Sequence, residues 1–308
     1  MRTHQVRGRL FALALVLLAS AATMIGGQSN QLPGLRHYTG QNVAPVYEGW
    51  EKNADGTFSL VFGYLNRNYE EEPEIAVGPG NGFAPGPIDR GQPTHFYPRR
   101  QQFMFKVRVP ADFGGQELVW TVTRAGRTDK AVGHLPLEWE LTENVYSQNR
   151  NGLARDSVTR LPNRPPTIAV DGPAQLTGVV GESVMLGVTA SDDGIPKPPA
   201  PPAPPTGGRG RGAAEPPIVT VREGPNQQAV VKPSRTGLAV TWIHWRGPGR
   251  VTFEPPTMVV KDGKAATRAR FGEPGTYVIR AYADDGVMME PADVTVTVGA
   301  ATKTAGQP

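Results

Sequence analysis

Gly181-Glu182-Ser183-Val184-Met185-Leu186-Gly187-Val188 reads as a turn that feeds an alternating strand. Farther along, Trp242 stands before a Gly247-Pro248-Gly249 turn, and Glu273-Pro274-Gly275-Thr276-Tyr277-Val278-Ile279 closes the pattern. Val184, Leu186 and Val188 share one face by the period of two that a half-buried strand requires. Thr241 and Ile243 alternate about Trp242, and Val251 with Phe253, Tyr277 with Ile279 and Ala281 repeat the alternation. Thr267, Ala269 and Phe271, and then Val294, Val296 and Val298, complete the set. Turn residues separate these runs, so residues 163–299 are expected to form a β-sandwich.

The first half has the same grammar. Phe58, Leu60, Phe62 and Tyr64 fall on one face of a strand. Asn53-Ala54-Asp55-Gly56 is a turn, so Val46 to Trp50 should pair back as a hairpin. Phe103, Phe105, Val107 and Val109 make another set, with Lys106 and Arg108 facing out, and Leu118, Trp120 and Val122 a third. About seven strands fit between Val43 and Leu141 by this reading. The expected fold is therefore all-β: two β-sandwich domains, at 40–142 and 163–299, joined by a polar linker at 143–162. Pro196 to Pro217 is a Pro/Gly/Arg-rich insertion in the second domain, of a composition that cannot bury a core. It is either solvated chain or a docking segment for an aromatic groove. Residues 300–308 read as a disordered tail.

The second domain resembles immunoglobulin-like or PKD-like bacterial modules. Trp242 matches the buried tryptophan of their third strand, and Tyr277 matches the tyrosine corner. Val188 and Ile279 then stand where antibody-type domains carry their inter-sheet disulfide. Two aliphatics there are an apolar replacement for that bridge. The stretch Phe62-Gly63-Tyr64-Leu65-Asn66-Arg67-Asn68, with Asp89-Arg90-Gly91-Gln92-Pro93 and Leu118-Val119-Trp120-Thr121, is similar to a domain of uncharacterised secreted bacterial proteins. That resemblance implies an extracellular β-domain and carries over no catalytic residue.

Residues 1–27 read as a signal peptide. Arg2, Arg7 and Arg9 precede the apolar run Leu10 to Ala19, and Ala19-Ser20-Ala21 offers small residues for cleavage. The run to Ile25 is short for a bilayer, which takes ~20 apolar residues, so no stable membrane span is expected after cleavage. Export to the periplasm, cell surface or exterior follows. With no cysteine the chain has no disulfide, and its core alone must hold it together. The formal charge of +4 falls to +1 without residues 1–27, since 29 basic then face 28 acidic residues. This near-neutral balance makes no case for nucleic acid.

Two constellations stand out as candidate sites. The Gly/Pro-rich loop 78–96 carries Asp89, Arg90 and His95 and leads to Phe96 and Tyr97. Asp89 and Arg90 either pair with each other or cap the loop backbone, or else they join Phe83, Phe96 and Tyr97 in an exposed binding rim. Asp192, Asp193, Asp262, Asp284 and Asp285 fall in loops expected at one end of the second sandwich. They either form turns or ring a calcium ion, which takes about six to eight oxygen ligands. No other cofactor is expected. The acidic run Glu70-Glu71-Glu72-Pro73-Glu74 reads as a solvated edge, and Leu137-Trp139-Leu141 as a strand with Glu138 and Glu140 outside.

No nucleophile motif or metal-binding His spacing is present, so the chain is not expected to be an enzyme. The leading expectation is an exported, non-catalytic binding or scaffolding protein with an envelope or extracellular protein or glycan as partner. A calcium-assisted adhesin or glycan-binding module would show Trp50, Tyr64, Tyr97 or Trp139 as an exposed aromatic strip. An enzyme or enzyme accessory would show a cleft lined by converging carboxylates or histidines.

Overall fold

The computed structural model describes residues 36–150, 163–197 and 229–301. The stretch 1–27 read as a signal peptide, residues 151–162 of the linker, 198–217 of the insertion and 302–308 of the tail lie outside the described residues. Fifteen strands run through the described chain, and its fold is all-β.

The first half holds β1 (Val43–Lys52), β2 (Phe58–Asn66), β3 (Asn81–Ala84), β4 (Arg99–Val109), β5 (Leu118–Arg124) and β6 (Arg127–Gly133). One sheet has the order β1-β2-β4 and the other β3-β5-β6. The β1–β2 hairpin forms as read, with Trp50 opposite Leu60. β3 lies within the Gly/Pro loop, at a sheet edge, where prolines on either side remove no central hydrogen bond. Between the sheets the rings interlock: Phe62 meets Phe83 edge-on at 5.3 Å, and Phe105 meets Trp120 at 5.0 Å.

The polar linker read at 143–162 begins as helix α1 (Glu143–Asn149), which buries Tyr146 against Phe103 with ring centroids 4.7 Å apart. Leu137–Trp139, read as part of a strand, is a single 3-10 turn instead. Pro136 stands just before the turn, and Leu137 is exposed there while Leu141 is buried.

The second half comprises β7 (Thr167–Val170), β8 (Gln175–Val179), β9 (Ser183–Ser191), β10 (Ala239–Arg246), β11 (Val251–Glu254), β12 (Thr257–Val259), β13 (Lys264–Phe271), β14 (Gly275–Asp284) and β15 (Met289–Gly299). The sheets run β11-β13-β9-β7 and β12-β10-β14-β15-β8. β8 is parallel to β15, and the chain changes sheet at Pro255-Pro256 between β11 and β12. This is an immunoglobulin-like sandwich. Trp242 (2% exposed), Val188, Tyr277 and Ile279 (each 0%) lie in its core, and the Tyr277 hydroxyl donates to the Glu273 carbonyl at 2.7 Å. Gly247 has φ +130°, and a Cβ there would come within 2.5 Å of the Tyr277 ring. The turn after β10 therefore needs glycine to pass that ring.

β10 and β14 are buried on both faces. Val240, Trp242, Tyr277 and Ile279 pack inside the second sandwich, while Ile243, Trp245 and Tyr282 join the core of the first. Period two would send one of these sets to solvent. It does not, because the first sandwich covers the outer face, and the two halves form one compact unit from His37 onward. Trp245 lies at the centre of that contact, 5.9 Å from Phe105, with the Arg280 guanidinium 3.8 Å above its ring. Trp245→Ala is expected to cost ~3–5 kcal/mol, as for a buried aromatic deletion. Urea unfolding of the variant against the parent chain measures this.

Candidate functional site

The loop that precedes β4 is built by two buried amides. Asn81 donates to the carbonyls of Ile75 (2.9 Å) and Pro93 (2.7 Å) and accepts from the Trp120 indole at 2.9 Å. Gln92 donates to the carbonyls of Asn81 (3.2 Å) and Ile88 (2.9 Å). So fixed, the loop lies along the end of β10. Thr94 N–H donates to the Trp245 carbonyl at 3.1 Å, the Trp245 indole to the Gly91 carbonyl at 3.1 Å, and Arg246 Nε to the Gln92 carbonyl at 2.7 Å.

The loop residues read as a rim are thereby drawn into the junction. Asp89 and Arg90 do not pair with each other. Asp89 takes a two-pronged bond from Arg246 (2.7 and 2.9 Å), which holds its carboxyl below the usual range. Asp89 is half exposed, so this pair is worth within about 1 kcal/mol. Arg90 reaches only the Pro85 carbonyl, at 3.4 Å. Phe83 and Phe96, expected at an exposed rim, are buried, because the aromatic core of the first sandwich claims them. Tyr97 is half buried, and its hydroxyl accepts the His244 N–H at 2.9 Å.

The acidic run, read as a solvated edge, supplies fixed partners instead. Glu71 accepts from Gly40 N–H and Arg124, each at 2.5 Å. Glu72 and Glu74 clasp His95: Glu74 Oε1 lies 2.7 Å from Nδ1 and Glu72 Oε2 3.1 Å from Nε2. Burial disfavours a charge on His95, but the bonds and charges of the two glutamates outweigh it and raise its pKa. The His95 ring stacks on His244 at 4.4 Å, and the Tyr97 ring meets it edge-on at 4.8 Å.

His244 differs from His95. Its side chain is 1% exposed, Nδ1 lies 3.9 Å from Glu74 Oε1, and neither ring nitrogen has a hydrogen-bond partner. Burial, with the nearby His95, pushes its pKa down to about 3. The Trp242 indole nitrogen is likewise unpartnered. Beside these groups lies a cavity of about 620 Å³, lined by Glu70, Glu72, Glu74, His95, Trp242 and His244 among others. Glu74, His95 and His244 each place one donor atom within 4.8 Å of the others. Of the three, the sequence singles out only His95, in the Gly/Pro-rich loop; His244 shares a strand face with Trp242. Nothing in residue spacing ties it to Glu74 and His95.

The five aspartates expected around a calcium ion do not gather into such a cluster among the described residues. Each serves its own loop or a neighbour. Asp192 accepts the Gly194 N–H (2.9 Å) and Asp193 those of Ile195 (3.0 Å) and Arg164 (3.1 Å). Asp262 occupies a tight turn at φ +51°. Asp284 pairs with Arg150, which extends from the end of α1, in a contact buried on both sides. Asp285 accepts from Val287 N–H (2.6 Å), Met288 N–H (2.7 Å) and the Asn163 amide (3.0 Å).

No family model matches the chain, and no curated protein matches it. Among solved structures, domains 1–6 of the surface layer protein SbsC are similar at a TM-score of 0.26 and 11% identity. That match covers 82% of this chain and 24% of that one, so the chain spans about a quarter of its length. Domains 4 and 5 of SbsC (TM-score 0.22, 11% identity) cover 86% of this chain and 92% of theirs. The fibronectin(III)-like modules of Clostridium thermocellum CbhA (0.24, 11%) cover 86% and 98%.

Burial raises the Asp285 carboxyl from 3.8 to about 6, against the hydrogen bonds that favour its charge. The folded chain thus keeps that proton to higher pH than the unfolded chain, and stability falls as pH rises from about 4 to 6. Two pKa units correspond to about 3 kcal/mol. Asp285→Asn keeps the loop bonds, and the unpartnered Asn163 Oδ1 can turn to accept from the new amide. Urea titrations at pH 4 and pH 7 should show the variant gaining up to about 3 kcal/mol on the parent between them.

Proposed function

We propose that this chain is an exported, non-catalytic binding or scaffolding protein of the cell envelope or exterior, in which two β-sandwiches work as one rigid body. The observation that carries this is the β10–β14 layer, dry on both faces. A chain without cysteines gains from such a shared core the stiffness that disulfides supply elsewhere in exported proteins. Its leader-like first 27 residues support export.

The glycan-binding reading loses its aromatic strip. Trp50 and Tyr64 are buried and Tyr97 is half buried. Trp139 is exposed, stacked at 5.5 Å on Tyr47. A second reading, an enzyme or enzyme accessory, is favoured by one observation, the glutamates and histidines that converge on the junction cavity.

The test combines export with cooperativity. Expressed with its own leader, the chain should be recovered outside the cytoplasm with residues 1–27 removed, as read by mass spectrometry. It should then unfold in one calorimetric transition. Retention in the cytoplasm, or two separable transitions, would overturn the proposal.

A further inference from the structure

We propose that Glu74, His95 and His244 form a site for one divalent transition-metal ion, Zn²⁺ by its chemistry, that staples the two sandwiches together. This goes beyond the scaffold reading and does not depend on it. Two imidazoles and one carboxylate are a zinc-type donor set, whereas calcium requires oxygen donors alone. Donors about 2.0–2.2 Å from a tetrahedral ion lie roughly 3.3 Å apart. The observed separations from Glu74 Oε1, 2.7 Å to His95 Nδ1 and 3.9 Å to His244 Nδ1, bracket that value. The three donor atoms lie within 4.8 Å of one another, and one imidazole must turn out of the 27° stack for both ring lone pairs to point at the ion.

Three further features are those of a metal site. His244 is buried and neither ring nitrogen makes a well-formed hydrogen bond, although the backbone at Arg246 and Gly247 lies near, an arrangement that costs stability unless something binds there. Glu72 holds His95 Nε2, which fixes the ring and leaves Nδ1 for the ion. That outer carboxylate is the usual support of a metal-bound imidazole. The adjoining cavity of about 620 Å³ leaves a fourth position for water. Glu74 and His95 belong to the first sandwich and His244 to β10 of the second, so one ion would link them.

The experiment uses the mature chain without an affinity tag, stripped by chelator and titrated with Zn²⁺ in a calorimeter. The expected result is one ion per chain and a melting temperature that rises with Zn²⁺ concentration. Glu74→Gln should weaken binding at least tenfold and Glu72→Gln about 10–100-fold. Glu70→Gln, on the cavity wall but outside the donor set, should leave it unchanged. Co²⁺ added to the unaltered chain should give the intense visible absorption of a four-coordinate site. Absence of binding, equal affinity in Glu74→Gln, or a weak six-coordinate Co²⁺ spectrum would each overturn the site.

Discussion

Two central strands with no wet face govern this molecule. β10 and β14 must satisfy two cores at once, with Trp242 and Tyr277 turned to one and Trp245 and Tyr282 to the other. Strand pairing satisfies most of their backbone, and the Tyr97 hydroxyl and the Thr94 N–H bond the end of β10, while the Trp242 indole nitrogen and the His244 ring stay unpartnered. Everything at the junction follows from that. The Gly/Pro loop has no apolar run of its own, yet it is ordered because β10 offers it carbonyls and an indole to bond.

Charges at the junction are arranged by depth. At the rim, Asp89 and Arg246 meet in water's reach, where a pair sets register more than it adds stability. Deeper, Arg150 and Asp284 are closed off together, and each needs the other because a lone buried charge is costly. Equally closed off are His95 and His244, one clasped by two carboxylates and one with none of its own. Two identical side chains in contact thus have opposite proton affinities. The asymmetry arises from which sandwich supplies the neighbours.

Much of the fold was legible. Alternating apolar side chains marked β2, β4, β5, β9, β13, β14 and β15, because successive residues of a strand face opposite ways. The Asn53–Gly56 turn located the first hairpin, and Trp242 and Tyr277 located the second core. The misreadings share one cause. Phe83 and Phe96 border a Gly/Pro-rich loop, which points to a rim, and Leu137 and Trp139 alternate, which points to a strand. Each inference stopped at the local chain, and a second body or a turn decided otherwise.

The site was less legible still. Glu72 and Glu74 alternate in an extended run and so project alike, but His95 and His244 approach each other from halves of the chain with no shared motif. By itself the sequence determined the strand class, the leader-like start, the lack of disulfides and the two apolar cores, since these are properties of neighbours along the chain. Only the tertiary structure decided that the cores are joined through one sheet and that two histidines and a glutamate meet where they join. A period of two says that successive side chains face opposite ways; it cannot say what covers each side.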